Sequence, residues 1–205
     1  MKRLRHLIEY AAMRVLLVLI DSLSPRGAER LASAIADVWF SAGARRRDIA
    51  CGNVRRSGIA TDEMEVRRIA KHSFRHFAGV ITDSLKADKL LTPDTWRDHV
   101  ELDIPPEAMA LLQEPEQGLL LISGHLGNWE VAAKVLSFFK PVVGMARDMD
   151  NPLTDALMKK RKGSDEFTLT PKHSTDMGRL LTTLKSGKLL ALLIDQHAKR
   201  RGMMV

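Results

Sequence analysis

The chain has 205 residues, enough for one sizeable core or a core with a small accessory region. Its 32 Lys and Arg against 25 Asp and Glu leave a net charge of +7, which favours anionic partners such as phospholipid headgroups, acidic carrier proteins or phosphorylated cofactors. The single cysteine, Cys51, excludes an intrachain disulfide and suits a cytoplasm-facing protein. Six Phe, three Trp and one Tyr without interleaved basic clusters, and no recognised module, argue against a nucleic-acid partner.

Residues 3–20 read as an amphipathic helix, with Leu4, Leu7, Ile8, Ala11, Ala12, Val15, Leu16 and Leu19 on one stripe. The uninterrupted apolar run from Val15 to Ile20 is too short for a membrane span, and lengthening it would bury Glu9, Arg14 and Asp21. The stripe fits either a helix lying in a membrane interface or one packed on the domain. Ser24-Pro25-Arg26-Gly27 reads as a turn, and 28–41 as a second helix ending at Gly43. Arg45, Arg46 and Arg47 then form a short basic surface run. Thr61 is the expected cap of a further helix, whose buried stripe is Val66, Ile69, Ala70, Phe74, Phe77, Ile81 and Leu85. His72 and His76 on it have metal-ligand spacing, but Ser73 stands where the zinc-protease pattern needs Glu, so a surface or core pair is expected. Four prolines mark 92–117 as an irregular approach with a short helix at 106–113.

Leu119-Leu120-Leu121-Ile122 has no polar alternation, which predicts a strand buried on both faces of a parallel sheet. Ser123-Gly124 ends it and His125 follows at its carboxyl end, where open α/β sheets bind ligands. Gly127 allows a sharp turn, and Asn128 is a good cap for a helix over 129–139. A histidine there, with Glu130 five residues on, is a candidate general base with its orienting carboxylate. Beyond it, strands at 142–146, 167–169 and 189–194 alternate with helices at 151–163 and 174–187. That rhythm predicts an α/β fold with a helix-flanked, mostly parallel sheet, preceded by an α-helical region. The expected organisation is a membrane-associating helix at 1–22, a helical region at 23–92 and an α/β core at 93–205.

Gly124-His125-Leu126-Gly127-Asn128-Trp129-Glu130 resembles the H-x-x-x-x-D/E acyltransferase motif as it stands in the lipid A biosynthesis (lauroyl/myristoyl) acyltransferases. The resemblance implies a glycerolipid-acyltransferase-like core and transfer of an acyl chain from an acyl carrier protein or CoA thioester to a hydroxyl of a lipid A precursor or related membrane glycolipid. It implies His125 as base and Glu130 as its partner, with no cofactor and no metal, and a hydrophobic N-terminal anchor on the cytoplasmic face of a bacterial inner membrane. Arg147, Asn151-Pro152, Pro171-Lys172 and Asp195-Gln196 match further positions of the family's pattern, as does the Arg-then-Asn53-Val54-Arg55 arrangement. These matches make Asn128, Arg147, Asn151 and Lys172 substrate-binding candidates and Asp195 a residue acting through active-site structure. Arg161 or Lys162 stands closest to the basic residue that binds substrate or stabilises the oxyanion in the family.

Two features depart from the pattern. Asp148 follows Arg147 where the family has proline, and Gly202-Met203-Met204-Val205 resembles the opening of a strand that continues in the family as Pro-Phe-Phe-Gly. The resemblance thus covers about two-thirds of a usual member. A sheet cut there is expected to expose an edge, and this form to be poorly active and aggregation-prone. Competing readings are a glycerolipid or lysophospholipid acyltransferase, and a non-enzymatic peripheral membrane protein binding anionic lipid.

Overall fold

The computed structural model describes residues 2–162, 167–171 and 177–196. The chain divides into two compact units, one comprising Val15–Lys86 and the other Met1–Arg14 together with Ala87–Val205.

Helices α1 (Lys2–Ser22), α2 (Pro25–Ala42), α3 (Ala44–Ser57) and α4 (Glu63–Leu90) open the chain. The stretch read as a turn at 24–27 instead starts α2. Ser24 is its N-cap, accepting from the Gly27 N–H, and Pro25 occupies the first helical position where its missing donor costs nothing. No apolar stripe announces α3, whose Arg45, Arg46, Arg55 and Arg56 are exposed while Arg47 is half-buried and donates to Asp48 and the Ser41 oxygen. It ends at Gly58 in the left-handed conformation (φ 71°). Asp62, not Thr61, caps α4, with Oδ2 accepting from the Glu65 N–H at 2.9 Å. Phe40, Cys51, Val66 and Ala70 form the buried core of the Val15–Lys86 unit, so Cys51 is a packed thiol. Phe77 and Ile81 are exposed because the buried face of α4 shifts to Val80, Ser84 and Leu85. His72 and His76 are exposed as well, and no metal-ligand cluster occurs among the described residues.

On α1 the buried residues are Leu17 and Ile20, whereas Leu4 (64% exposed), Ile8 (61%), Val15 (60%) and Val18 (59%) face solvent. The greater part of the predicted stripe therefore lies opposite the packed face. No described helix is long and apolar enough to cross a membrane.

The second unit carries a four-stranded, all-parallel sheet of order β1-β4-β2-β3, formed by β1 (Leu119–Ser123), β2 (Val142–Ala146), β3 (Phe167–Pro171) and β4 (Leu189–Leu193). The flanking helices are α5 (Pro106–Gln113), α6 (Trp129–Leu136), α7 (Pro152–Lys162) and α8 (Met177–Lys185). Leu112, Val142 and Leu189 are its buried centre, against Leu136 and Phe139. Strand β4 is interior, as its unbroken apolar run predicts. Among the described strands β1 stands at the sheet's edge and is not buried on both faces: Leu120 (52%) and Ile122 (57%) are exposed while Leu119 and Leu121 face the core.

The amino edge of the sheet is held by an ammonium group. Lys140, 3% exposed, donates from Nζ to the carbonyl oxygens of Glu114, Gln117 (3.0 Å) and Gly187 (3.1 Å). Backbones approach too closely there for side chains. A Cβ on Gly118 would lie 1.9 Å from the Leu184 oxygen, and one on Gly187 (φ 72°) 2.2 Å from that of Pro115.

Candidate active site

At the opposite edge, β1 delivers His125 and β4 delivers Asp195. The strands are paired in register from Leu119↔Leu189 to Ser123↔Leu193, and the Ile194 N–H donates to the Ser123 oxygen at 3.0 Å, carrying the pairing past the last strand residues. Asp195 then closes on His125 with both carboxylate oxygens. Oδ2 accepts the His125 backbone N–H at 2.7 Å, and Oδ1 lies 2.7 Å from the ring Nδ1. The approach passes over Gly124, where a Cβ would sit 3.1 Å from Oδ2. The two hydrogen bonds from His125 hold the Asp195 carboxyl below its ordinary range. An ionised carboxylate can only accept, so the ring donates from Nδ1, and in the neutral imidazole the lone pair is then on Nε2. The Gln196 side-chain amide lies 3.3 Å from that Nε2. The Trp129 ring meets the imidazole edge-on, with centroids 4.8 Å apart.

Asn128 caps α6 as its sequence position predicts, with Oδ1 accepting from the Val131 N–H at 3.1 Å, and Gly127 before it takes φ 60°. Glu130 lies in the first turn of α6, and both it and Asn128 line the cavity that His125 enters. The carboxylate on Nδ1 is that of Asp195, and Glu130 faces the same space from the helix N-terminus, where a negative charge is favoured. The cavity has a volume of about 750 Å³ and runs from His125, Trp129 and Gln196 over the sheet to Gly144, Leu169 and Ala191.

The other candidates separate. Arg147 lines the cavity mouth and pairs with Asp150. Asp148 pairs with Lys159 at 2.7 Å, and Asp155 accepts the Met149 N–H at 2.9 Å, so charged contacts to α7 organise the turn that follows Arg147. Asn151 is 5% exposed and ties this turn to α1, donating to the His6 oxygen and to Glu9 Oε2, each at 2.9 Å. Its Oδ1 accepts the Leu153 N–H and so caps α7. Arg161 lies on the last turn of α7, half-buried and outside the cavity lining, and Lys162 ends that helix. Lys172 and the segment 202–205 lie outside the described residues. Gln196 stands at the ring beside Asp195, on the sheet edge where the sequence placed the pair, whereas Trp129 at the ring and the cavity floor of Gly144, Leu169 and Ala191 were not anticipated as site residues. Counting back in twos from His125 along β1 reaches Ser123 and Leu121 on the cavity side, which is the signal that could have found that face.

With the histidine, its carboxylate and the apolar cavity in place, one comparison is decisive. The model of the bacterial lipid A biosynthesis acyltransferases matches residues 1–205. The chain belongs to this family. Among curated proteins none matches it. Membership makes the protein an acyltransferase of lipid A biosynthesis, acting on an acyl donor and a lipid acceptor. A cavity lined mostly by apolar side chains, with a histidine at one end, is what a fatty acyl thioester requires.

Proposed function

We propose that the enzyme moves a fatty acyl group from an acyl carrier protein or CoA thioester to a hydroxyl of a lipid A precursor or related membrane glycolipid, with His125 as general base. The observation that carries this reading is the Asp195 carboxylate on Nδ1 of the histidine that lines the apolar cavity. The acceptor hydroxyl gives its proton to Nε2 as its oxygen attacks the thioester carbonyl. The tetrahedral adduct then expels the thiolate, which takes the proton back from the imidazolium. Asp195 orients the ring, and Glu130 stabilises the imidazolium from the adjoining helix turn. Backbone N–H groups at Gly127-Asn128, or the guanidinium of Arg147, face the developing oxyanion. No metal or redox group enters these steps.

The place of action we propose is the cytoplasmic face of a bacterial inner membrane. The exposed apolar side of α1 and the net charge of +7 support it, since the one suits the acyl boundary and the other anionic headgroups. Replacing Leu4, Ile8, Val15 and Val18 by Ser should move the protein into the soluble fraction. Unchanged sedimentation with anionic vesicles at high salt would place the contact elsewhere.

The chemistry is tested by transfer of a radiolabelled acyl group to a lipid A precursor, comparing acyl carrier protein and CoA donors. Turnover in the native protein, lost in His125→Ala, is the expected result. Equal turnover in both would remove His125 from the reaction, and transfer to lysophospholipid alone would favour a glycerolipid acceptor.

A further inference from the structure

The register of the sheet aligns one residue from each strand in a row across the cavity. Leu121 pairs with Ala191, Ala191 with Gly144, and Gly144 with Leu169. All four line the cavity. The two inner strands, β4 and β2, therefore carry the small residues and the two outer strands the large ones. Adjacent strands are about 4.8 Å apart, so the two leucines bound a trough roughly 14 Å between backbones, with Ala191 and Gly144 as its bed.

Two residues nearer the amino edge, on the same sheet face, stand Leu119, Leu189 and Val142. Leu189 is 2% exposed and Val142 1%, and none of the three lines the cavity. The trough therefore ends against them. Two residues toward the carboxyl edge, Ser123, Leu193 and Ala146 line its upper part, followed by His125. From Ser123 back to Leu119 is roughly 13 Å at about 3.3 Å per residue. The trough is apolar along its course and polar only at the histidine end, so its occupant is an unbranched hydrocarbon with its reactive head at His125.

We propose that Gly144 and Ala191 set the length of acyl chain the enzyme accepts, by leaving the bed of the trough open down to the Leu189–Val142 floor. The proposal rests on the acyltransferase reading, and deepens it by naming the residues that select the donor. A side chain added at either position fills the space where the distal methylenes lie. Each methylene kept out of the cavity lowers affinity about four-fold, or ~0.8 kcal/mol.

The test uses the full chain and saturated acyl thioesters from about 8 to about 18 carbons, scaled by that per-methylene increment. Both transfer and displacement of a fluorescent fatty acid are measured. In Ala191→Leu the preferred length should shorten by about two carbons, with a loss of about 15-fold at the native optimum and shorter chains nearly unaffected. Gly144→Ala, the milder change, should shift the profile the same way by about one carbon, and covers the case in which the larger side chain prevents folding. Leu189→Ala should lengthen the preferred chain. A length profile unchanged in all three variants, with transfer intact, overturns the proposal and leaves the acyltransferase reading standing. A shifted binding profile without transfer by the native protein keeps the trough assignment and removes the reading of its chemistry.

Discussion

The two edges of the sheet are built on opposite plans. At the amino edge, Lys140 is buried and satisfied by three carbonyl groups, and Gly118 and Gly187 admit backbones that a Cβ would push apart. At the carboxyl edge, His125 and Asp195 touch closely, yet their side chains remain 30% and 46% exposed and the cavity opens beside them. One edge is closed by contacts that leave nothing for a ligand. The other keeps its polar groups ordered but accessible. This division predicts that the reactive edge can be altered with little loss of stability, whereas the closed edge cannot.

Breaking the reactive edge should give the largest effect. His125→Ala is expected to lower acyl transfer by about 10²–10⁴-fold while the thermal transition stays within a degree or so of the native protein. A large fall in melting temperature would show that the carboxyl edge also carries the fold. Breaking the closed edge should do the reverse. Lys140→Met strands three buried carbonyl groups and should cost about 2–4 kcal/mol in urea unfolding, with activity per folded molecule retained. If activity instead vanished at full stability, the contrast between the edges would fail.

Asp195→Asn sharpens the division. The amide can still reach both His125 groups, but it no longer compels the proton onto Nδ1. A loss of roughly 10–10²-fold in kcat with KM unchanged is expected, together with a changed pH–rate profile. A purely structural role would lower stability and leave the profile in place. Gly124→Ala should act in the same direction and less strongly, because its Cβ displaces the Asp195 carboxylate by only a few tenths of an ångström.

The smallest effect belongs to the helical unit. Arg75 and Lys71 hold the Asp37 carboxyl at about 2 against an ordinary 3.8. A carboxylate lowered on folding stabilises fully above the ordinary value and loses that contribution as pH falls from about 3.8 through about 2. The stability of Asp37→Asn should therefore be flatter than the native protein's across this window and lower above it, as measured by denaturant titration at each pH. Parallel curves would exclude the Asp37–Arg75 pair from acid unfolding.

Local patterns in the chain were enough for much of this architecture. The alternation of apolar strands and amphipathic helices after residue 118, Gly127 at a turn, Asn128 as a cap and His125 past a strand end all depend on residues within a few positions of each other. The N-terminal region was read less well. α3 has no apolar stripe to announce it, and tertiary packing rather than periodicity decides which face of α4 turns inward. Exposure of the apolar side of α1 could not be read from its periodicity, since a packed helix and an interfacial one show the same stripe.

The site divides along the same line. Its histidine and the motif around it are written in consecutive residues, and so are the elements that carry them. The carboxylate on its ring comes from 70 residues away, and is adjacent only because β4 inserts between β1 and β2. The acyl trough likewise exists only in the sheet: Leu121, Gly144, Leu169 and Ala191 become one row through strand order and register. Strand order and register are set by non-local pairing and by how side chains from distant segments fill one core. The sequence alone specifies which residues can form strands, and the folded sheet decides which of them stand side by side.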